Sequence, residues 1–393
     1  MRRIDLIEPF RVMQLLERAR QMEADGRNIV HMEIGEPDFP TPGPVLEAAR
    51  RRLDTGENFY TPSGGAPELQ QALSSWYADS HGLDIAPERI LITPGTSGAF
   101  SLIYAVLLEQ GESVLLSDPG YPCQRNFIRL AGGEPVNIPV GPETRYHLSA
   151  AMVAEHWRET TRAALIINPS NPTGTLISEA QLALVAEACA NRGGWLISDE
   201  IYHGLTYGVT PPCALQCGDA EHIIVVNGFS KRWAMTGWRI GWVILPESLI
   251  DAASRVMQNI FIAAPTLSQY AAIAALGAER EVEAMRQAYD ERRRYLLQAL
   301  PALGFDIVVE PQGAFYIYAN VRGLTDDARA FCWHMLDKAG VAITPGEDFG
   351  VYQSAQHVRF SYATGMDNLK EGVRRLKSEL GQPHGGPSTH MIP

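Results

Sequence analysis

Lysine is scarce in this chain: four against 29 arginines, and Lys231 is the only one before Lys338. It lies in an apolar, Trp-rich stretch, Gly-Phe-Ser-Lys-Arg-Trp-Ala-Met-Thr-Gly-Trp-Arg-Ile-Gly. Arginine supplies charge but does not lose its proton near neutral pH. A desolvated lysine does, and its free amine attacks carbonyl carbons. The other reading is an ordinary exposed lysine, so the neighbouring segments decide.

Those segments share one form, a short apolar run that ends in polar residues. Ile90-Leu91-Ile92 leads to Thr93-Pro94-Gly95-Thr96-Ser97-Gly98. Small residues at a helix start leave backbone N–H groups free to face an anion, although such a turn also serves as a plain cap. Leu115-Leu116 leads to Asp118-Pro119-Gly120-Tyr121, where a ring could face a flat ligand or be structural. Ile166-Ile167 leads to Asn168-Pro169-Ser170-Asn171-Pro172, a stiff turn that holds a side chain still. Leu196-Ile197 leads to Ser198-Asp199-Glu200-Ile201-Tyr202. A carboxylate placed there is costly unless paired, and a protonated ring nitrogen is one such partner. Val225-Val226 leads to Ser230-Lys231, with Arg239 eight residues on. A phosphate cradle, a ring stacker, hydrogen-bonders for a phenol oxygen, a carboxylate and a lone lysine together describe pyridoxal 5′-phosphate.

These residues must be carried by a sheet. The runs at 90–92, 113–116, 164–167, 195–197, 223–226 and 240–244 read as buried strands, with helical patterns such as 98–109 and 178–191 between them. Near-continuous apolar strands alternating with helices predict an α/β fold: a mostly parallel sheet covered by helices on both faces. Ligands then bind beyond the strands' carboxyl ends. The chain ends differ. They show a helix at 10–25, a long charged helix at 279–300, strands at 307–309, 315–318 and 357–362, and a final helix. This predicts a large domain at 45–278, a smaller α+β domain from 1–44 with 279–380, and a disordered tail at 381–393.

The chain resembles the class I/II aminotransferases, fold-type I pyridoxal-phosphate enzymes, from about Ile4 to Leu380. The resemblance rests on Asn168 to Gly174 (NPSNPTG), Ser198 to Tyr202 (SDEIY) and Ser230 to Gly241 (SKRWAMTGWRIG). Gly35 to Phe39, Tyr60 to Gly64 and Arg359 to Ser361 support it. It implies that Lys231 forms the aldimine and shuttles the proton, that Asp199 pairs with the ring nitrogen, and that Asn171 and Tyr202 bond the phenolic oxygen. Tyr121 would stack on the ring. Gly95, Thr96, Ser97, Ser230 and Arg239 would hold the phosphate, with Tyr60 reaching in from a second subunit of a homodimer. Arg359 would clamp the substrate α-carboxylate and the backbone at Gly35 would close over the substrate. The implied reaction moves an amino group from an L-amino acid to a 2-oxo acid, 2-oxoglutarate being expected, by a ping-pong mechanism.

Composition limits the alternatives. The net charge of −12 argues against a nucleic-acid surface. Arg50-Arg51-Arg52 and Arg292-Arg293-Arg294 read as solvated helix faces. Five scattered cysteines fit free thiols in a reducing compartment, and Cys213 with Cys217 are too few for structural zinc, so no metal site is expected. No apolar h-region or membrane-length run occurs, which makes a cytoplasmic protein the expectation. A carbon–sulfur β-lyase using the same cofactor shares most of these motifs and stays open. A cofactor-binding sensor domain would bring a DNA-binding segment, and none is recognisable. A dicarboxylic donor would want a second cation. Residues 96–124 contain none, which leaves Arg11 or Arg125. Phe10, Ile34, Tyr202 and Phe315 as pocket lining would favour neutral or aromatic donors. His203 and Gly204 carry no reading at this level.

Overall fold

The computed structural model describes residues 3–7, 9 and 12–381. Phe10, Arg11 and all but the first residue of the expected tail lie outside them. In chain order the strands are β1 (Val30–His31), β2 (Ile90–Thr93), β3 (Ser113–Asp118), β4 (Glu134–Pro139), β5 (Thr161–Ile167), β6 (Trp195–Asp199), β7 (Ile223–Gly228), β8 (Gly241–Ile244), β9 (Tyr316–Asn320), β10 (Val341–Ala342), β11 (Thr344–Pro345) and β12 (His357–Ser361).

Seven of them form one sheet in the order β2-β8-β7-β6-β5-β3-β4. Only β8 runs against its neighbours, antiparallel to both β2 and β7. The sheet is buried on both faces because its strands are apolar at successive positions. Leu115, Ala164, Ile166, Leu196 and Val225 face one core, while Val114, Leu165, Ile197, Ile224 and Val226 face the other. The helices, again in chain order, are α1 (Val12–Ala24), α2 (Gly43–Thr55), α3 (Pro67–His81), α4 (Gly95–Leu107), α5 (Cys123–Ala131), α6 (Ala150–His156), α7 (Glu179–Ala190), α8 (Glu247–Ile260), α9 (Thr266–Ala275), α10 (Glu279–Ala299), α11 (Ala328–His334) and α12 (Met366–Leu380). Leu69 and Leu73 of α3 and Leu182 and Val185 of α7 cover the first core; Phe100 and Ile103 of α4 and Met257 of α8 cover the second. Ser178 caps α7 by accepting from the Gln181 N–H.

A separate antiparallel sheet, β11-β12-β9, holds Arg359 between Thr344 and Tyr318. Beside it β1 pairs in parallel with β10, Val30 against Val341 and His31 against Ala342.

Two expectations are corrected. The apolar run Ile307-Val308-Val309 does not make a strand: only Asp306 bridges to Asn320, and Val308 is 51% exposed, so no second apolar face holds the run in a ladder. Arg292 and Arg293 are not solvated. Each is 8% exposed, because Arg292 meets Asp38 at 2.7 Å and Arg293 meets Asp290 and Glu310 at 2.8 and 2.7 Å. Pairing lets a guanidinium be buried that would otherwise stay in water. All five cysteines are free thiols. No metal-binding cluster and no helix long and apolar enough to cross a membrane occurs among the described residues.

Candidate active site

The carboxyl ends of β2, β3, β5, β6 and β7 open onto one side of the sheet. The reversed β8 brings its amino end to the same edge, which places Arg239 beside the turn after β2. A Cβ on Gly95 would stand 2.7 Å from an Arg239 guanidinium nitrogen, and Gly95 has φ +69°. Glycine is needed here for both reasons.

A cavity of about 420 Å³ lies over these strand ends. Among the sequence-selected residues it is lined by Gly35, Thr96, Tyr121, Asn171, Asp199, Tyr202, Lys231 and Arg359. Ile34 lines it as well. Gly95, Ser97, Ser230, Arg239 and Tyr60 do not, and Tyr60 is 80% exposed beside Phe59 at 77%. Phe315 sits one layer back, its ring 5.5 Å from that of Tyr202 and 5.9 Å from Lys231 Nζ. Arg125 turns away and donates to the carbonyls of Phe349 and Asp348, so it is no second cation for this cavity.

Lys231 Nζ donates to the Gly35 carbonyl at 2.6 Å. Burial lowers its pKa to about 8, against the opposing pull of Glu36. Asp199, the last residue of β6, is 5% exposed and accepts one bond, from the Ile201 N–H at 3.1 Å. Burial raises its pKa to about 7, which the Ile201 N–H and Lys231 oppose. Burial also pushes the Tyr121 and Tyr202 phenols up, so both are neutral donors.

Arg359 is 4% exposed. Nη1 donates to Asn171 Oδ1 at 3.0 Å and Nη2 to the Glu33 carbonyl at 2.6 Å. Its guanidinium lies 4.3 Å from the Tyr316 ring centre and 4.7 Å from that of Phe349, while buried Nε has no hydrogen-bond partner among the described residues. Stacking between two rings fixes the plane of the fork.

Sequence reasoning missed several lining groups. Tyr316 bonds Tyr202 hydroxyl to hydroxyl at 2.9 Å and approaches Gly35 so closely that a Cβ there would stand 2.4 Å from its oxygen. Val12, Met13, Leu16 and Arg20 of α1 form another wall, with Glu33 and Glu36 beside it. The apolar spacing of α1 was visible, but not which surface it meets. His203 is buried against Glu200 at 3.4 Å, and Gly204 turns at φ +83° where Arg232 leaves no room for a Cβ.

The sequence profile described as aminotransferase class I and II matches residues 27–376. The chain is 38% identical over 376 residues to the (5-formylfuran-3-yl)methyl phosphate transaminase of Methanocaldococcus jannaschii, covering 95% of this chain and 97% of that protein. It is equally similar, over the same shares, to the valine–pyruvate aminotransferase of Mycobacterium tuberculosis. A crystal structure of an aminotransferase from Mycobacterium tuberculosis superposes with a TM-score of 0.92 at 38% identity, over 95% of this chain and 97% of that one. The fold is that of the fold-type I aminotransferases. The chain belongs to the class I and II aminotransferases.

Proposed function

We propose that the protein uses pyridoxal 5′-phosphate to move an amino group from a neutral or aromatic L-amino acid to a 2-oxo acid, 2-oxoglutarate foremost. The exchange is ping-pong: the first 2-oxo acid leaves before the second enters. One observation carries the reading: the Lys231 amine, the Asp199 carboxyl and the Arg359 guanidinium converge on a single cavity.

The residues fit the cofactor. The side-chain-free turn at Gly95 under Arg239, at the start of α4, suits a phosphate. Asp199, buried with one hydrogen bond, gains by meeting a cationic N–H. Tyr121 offers a ring face, and Asn171 and Tyr202 offer hydrogen bonds. When bound, pyridoxal phosphate supplies an electron sink for the charge left when Cα loses its proton.

Arg359 orients the substrate by its α-carboxylate, and Asn171 holds the guanidinium in place. With its pKa near 8, Lys231 is partly neutral at physiological pH and accepts the Cα proton. The Gly35 carbonyl positions Nζ meanwhile. Val12, Leu16 and Ile34 exclude water from one side. Ser97 and Ser230 would add phosphate contacts, and Tyr60, exposed with Phe59, would complete the site of a second copy in a homodimer. The large sheet, 45–278, would bind the cofactor, while 1–44 with 279–380 would form the substrate-gripping domain. The valine–pyruvate relative supports a neutral donor. A β-lyase is not favoured, because the family profile and these relatives are aminotransferases.

The test is a visible spectrum of the cofactor-loaded protein titrated with amino acids, then with 2-oxo acids. Reversible loss and return of the cofactor band, matched by release of the corresponding 2-oxo acid, is expected. Release of pyruvate and ammonia without return of the band would refute transfer. A Lys231→Ala variant that kept full turnover would refute the role of Lys231.

A further inference from the structure

Taking the charged groups that line the cavity in turn, nearly all have partners. Lys231 bonds the Gly35 carbonyl, Asp199 the Ile201 N–H, and Glu36 the Thr236 hydroxyl. Glu33 meets His31 at 2.7 Å, and Arg359 holds Asn171 and the Glu33 carbonyl. Arg20 alone has no hydrogen bond or ion pair among the described residues.

Its position has a pattern. Val12, Met13, Leu16 and Arg20 follow one another along a single face of α1, and all four line the cavity. At 1.5 Å per residue that face spans about 12 Å. The wall is apolar for most of its length and ends in a cation. Arg359, on the separate β12, is the other guanidinium in the same cavity.

We propose that Arg20 reads the distal carboxylate of a dicarboxylic substrate. This rests on the reading of the cavity as the site of amino transfer. A single cavity thereby takes two kinds of acid. Both place their α-carboxylate on Arg359. A neutral side chain stops against Val12, Met13 and Leu16; a longer acid of the 2-oxoglutarate kind carries its second carboxylate to Arg20. The unreacting end of each substrate is read by a different part of one helix; the Glu33 charge is offset by His31 at 2.7 Å, while Glu36, bonded to the neutral Thr236 hydroxyl, keeps its charge and makes the Arg20 cation the more necessary for an anion to enter.

The experiment uses the cofactor-loaded protein and two unreactive five-carbon acids, glutarate and pentanoate, with calorimetric binding at low and high salt. The wild type is expected to bind glutarate about tenfold more tightly, the scale of one charge-assisted contact. Arg20→Gln should reduce that advantage to about twofold or less, and Arg20→Lys should restore part of it, because a lysine keeps the charge but not the fork. The advantage should shrink in high salt, as expected at an open cavity mouth. In turnover, the ratio of kcat/KM for 2-oxoglutarate to that for 2-oxopentanoate should fall by a similar factor in Arg20→Gln. A glutarate advantage that is absent in the wild type, or that survives in Arg20→Gln, overturns the proposal. If glutarate binding depends on Arg20 but no 2-oxo acid is aminated, transfer fails while the assignment of Arg20 stands.

Discussion

Gly35 is the position where one added methyl group should be felt most clearly. In Gly35→Ala the new Cβ would stand 2.4 Å from the Tyr316 hydroxyl oxygen and 3.4 Å from the ring carbon that bears it. An approach of 2.4 Å is about 1 Å inside ordinary carbon–oxygen contact, so either the backbone at Gly35 or the phenol must shift. Overpacking of this kind costs about 1–3 kcal/mol; we take about 2. Tyr316→Phe alone removes the oxygen and leaves the Tyr202 hydroxyl without that partner, at about 1 kcal/mol. The double variant has no oxygen for the new methyl to strike. It should lose only about 1 kcal/mol rather than the additive sum of about 3, a coupling of about 2 kcal/mol. At about 2.1 cal/mol/K per residue, 393 residues give an unfolding entropy near 0.8 kcal/mol/K, so Gly35→Ala alone lowers Tm by about 2.5 °C and the double variant by about 1 °C. The assay is thermal unfolding of the four proteins at equal cofactor loading. Simple additivity would refute the steric argument and, with it, the claim that glycine is required here by close approach.

Other outcomes follow from the same geometry. In the cofactor-free protein, acylation of Lys231 should rise with pH around a midpoint near 8, because burial depresses the amine; a midpoint at the ordinary 10.5 would contradict this. Arg359→Gln should lower kcat/KM for every amino donor by about 10- to 100-fold, since the lost contact is to the group all donors share. Loss confined to one side-chain class would contradict the clamp. The hydrogen bond to Glu33 raises the His31 pKa from 6.5 to about 9, with Glu23 assisting and burial opposing. The folded-state value is the higher one, so this stabilisation is complete below about pH 6.5 and disappears as pH rises through about 9. Urea midpoints of the wild type should fall over that window, and His31→Gln should lack the fall.

The central sheet was legible because its strands are nearly continuous apolar runs that end in polar residues, a pattern that buried parallel strands force on a sequence. β4 was not legible. As the outer strand of the sheet it is partly exposed, and Glu134-Pro-Val-Asn137 has neither an apolar run nor alternation. The run at 307–309 failed for the opposite reason: apolar residues were present, and Ile307 and Val309 pack on the core, but Val308 faces solvent and the run has no ladder partner beyond the single bridge at Asp306. Arg292 and Arg293 were misread because Asp38 and Glu310, which neutralise them, are invisible from the helix alone. At the site, residues at strand ends could be picked out because turn chemistry surrounds them. Tyr316, Glu33 and Arg20 could not, since what brings them to the cavity is the packing of segments hundreds of residues apart.

The pairing of β1 with β10 sets a timetable for the protein's birth. The α1 wall and Gly35 leave the ribosome early, but Val30 and His31 must wait for Val341 and Ala342. At about 5–20 residues per second, the sequence separation of 311 from His31 to Ala342 takes about 15–60 s to translate. Throughout that interval the nascent amino terminus carries an unpaired strand edge and an uncovered apolar helix face, while the large sheet can already condense behind it. A ribosome that stalls before residue 341 therefore releases a chain with an intact Lys231 segment and no means of gripping a substrate. The emerging amino terminus is the segment that a holding chaperone would be expected to cover.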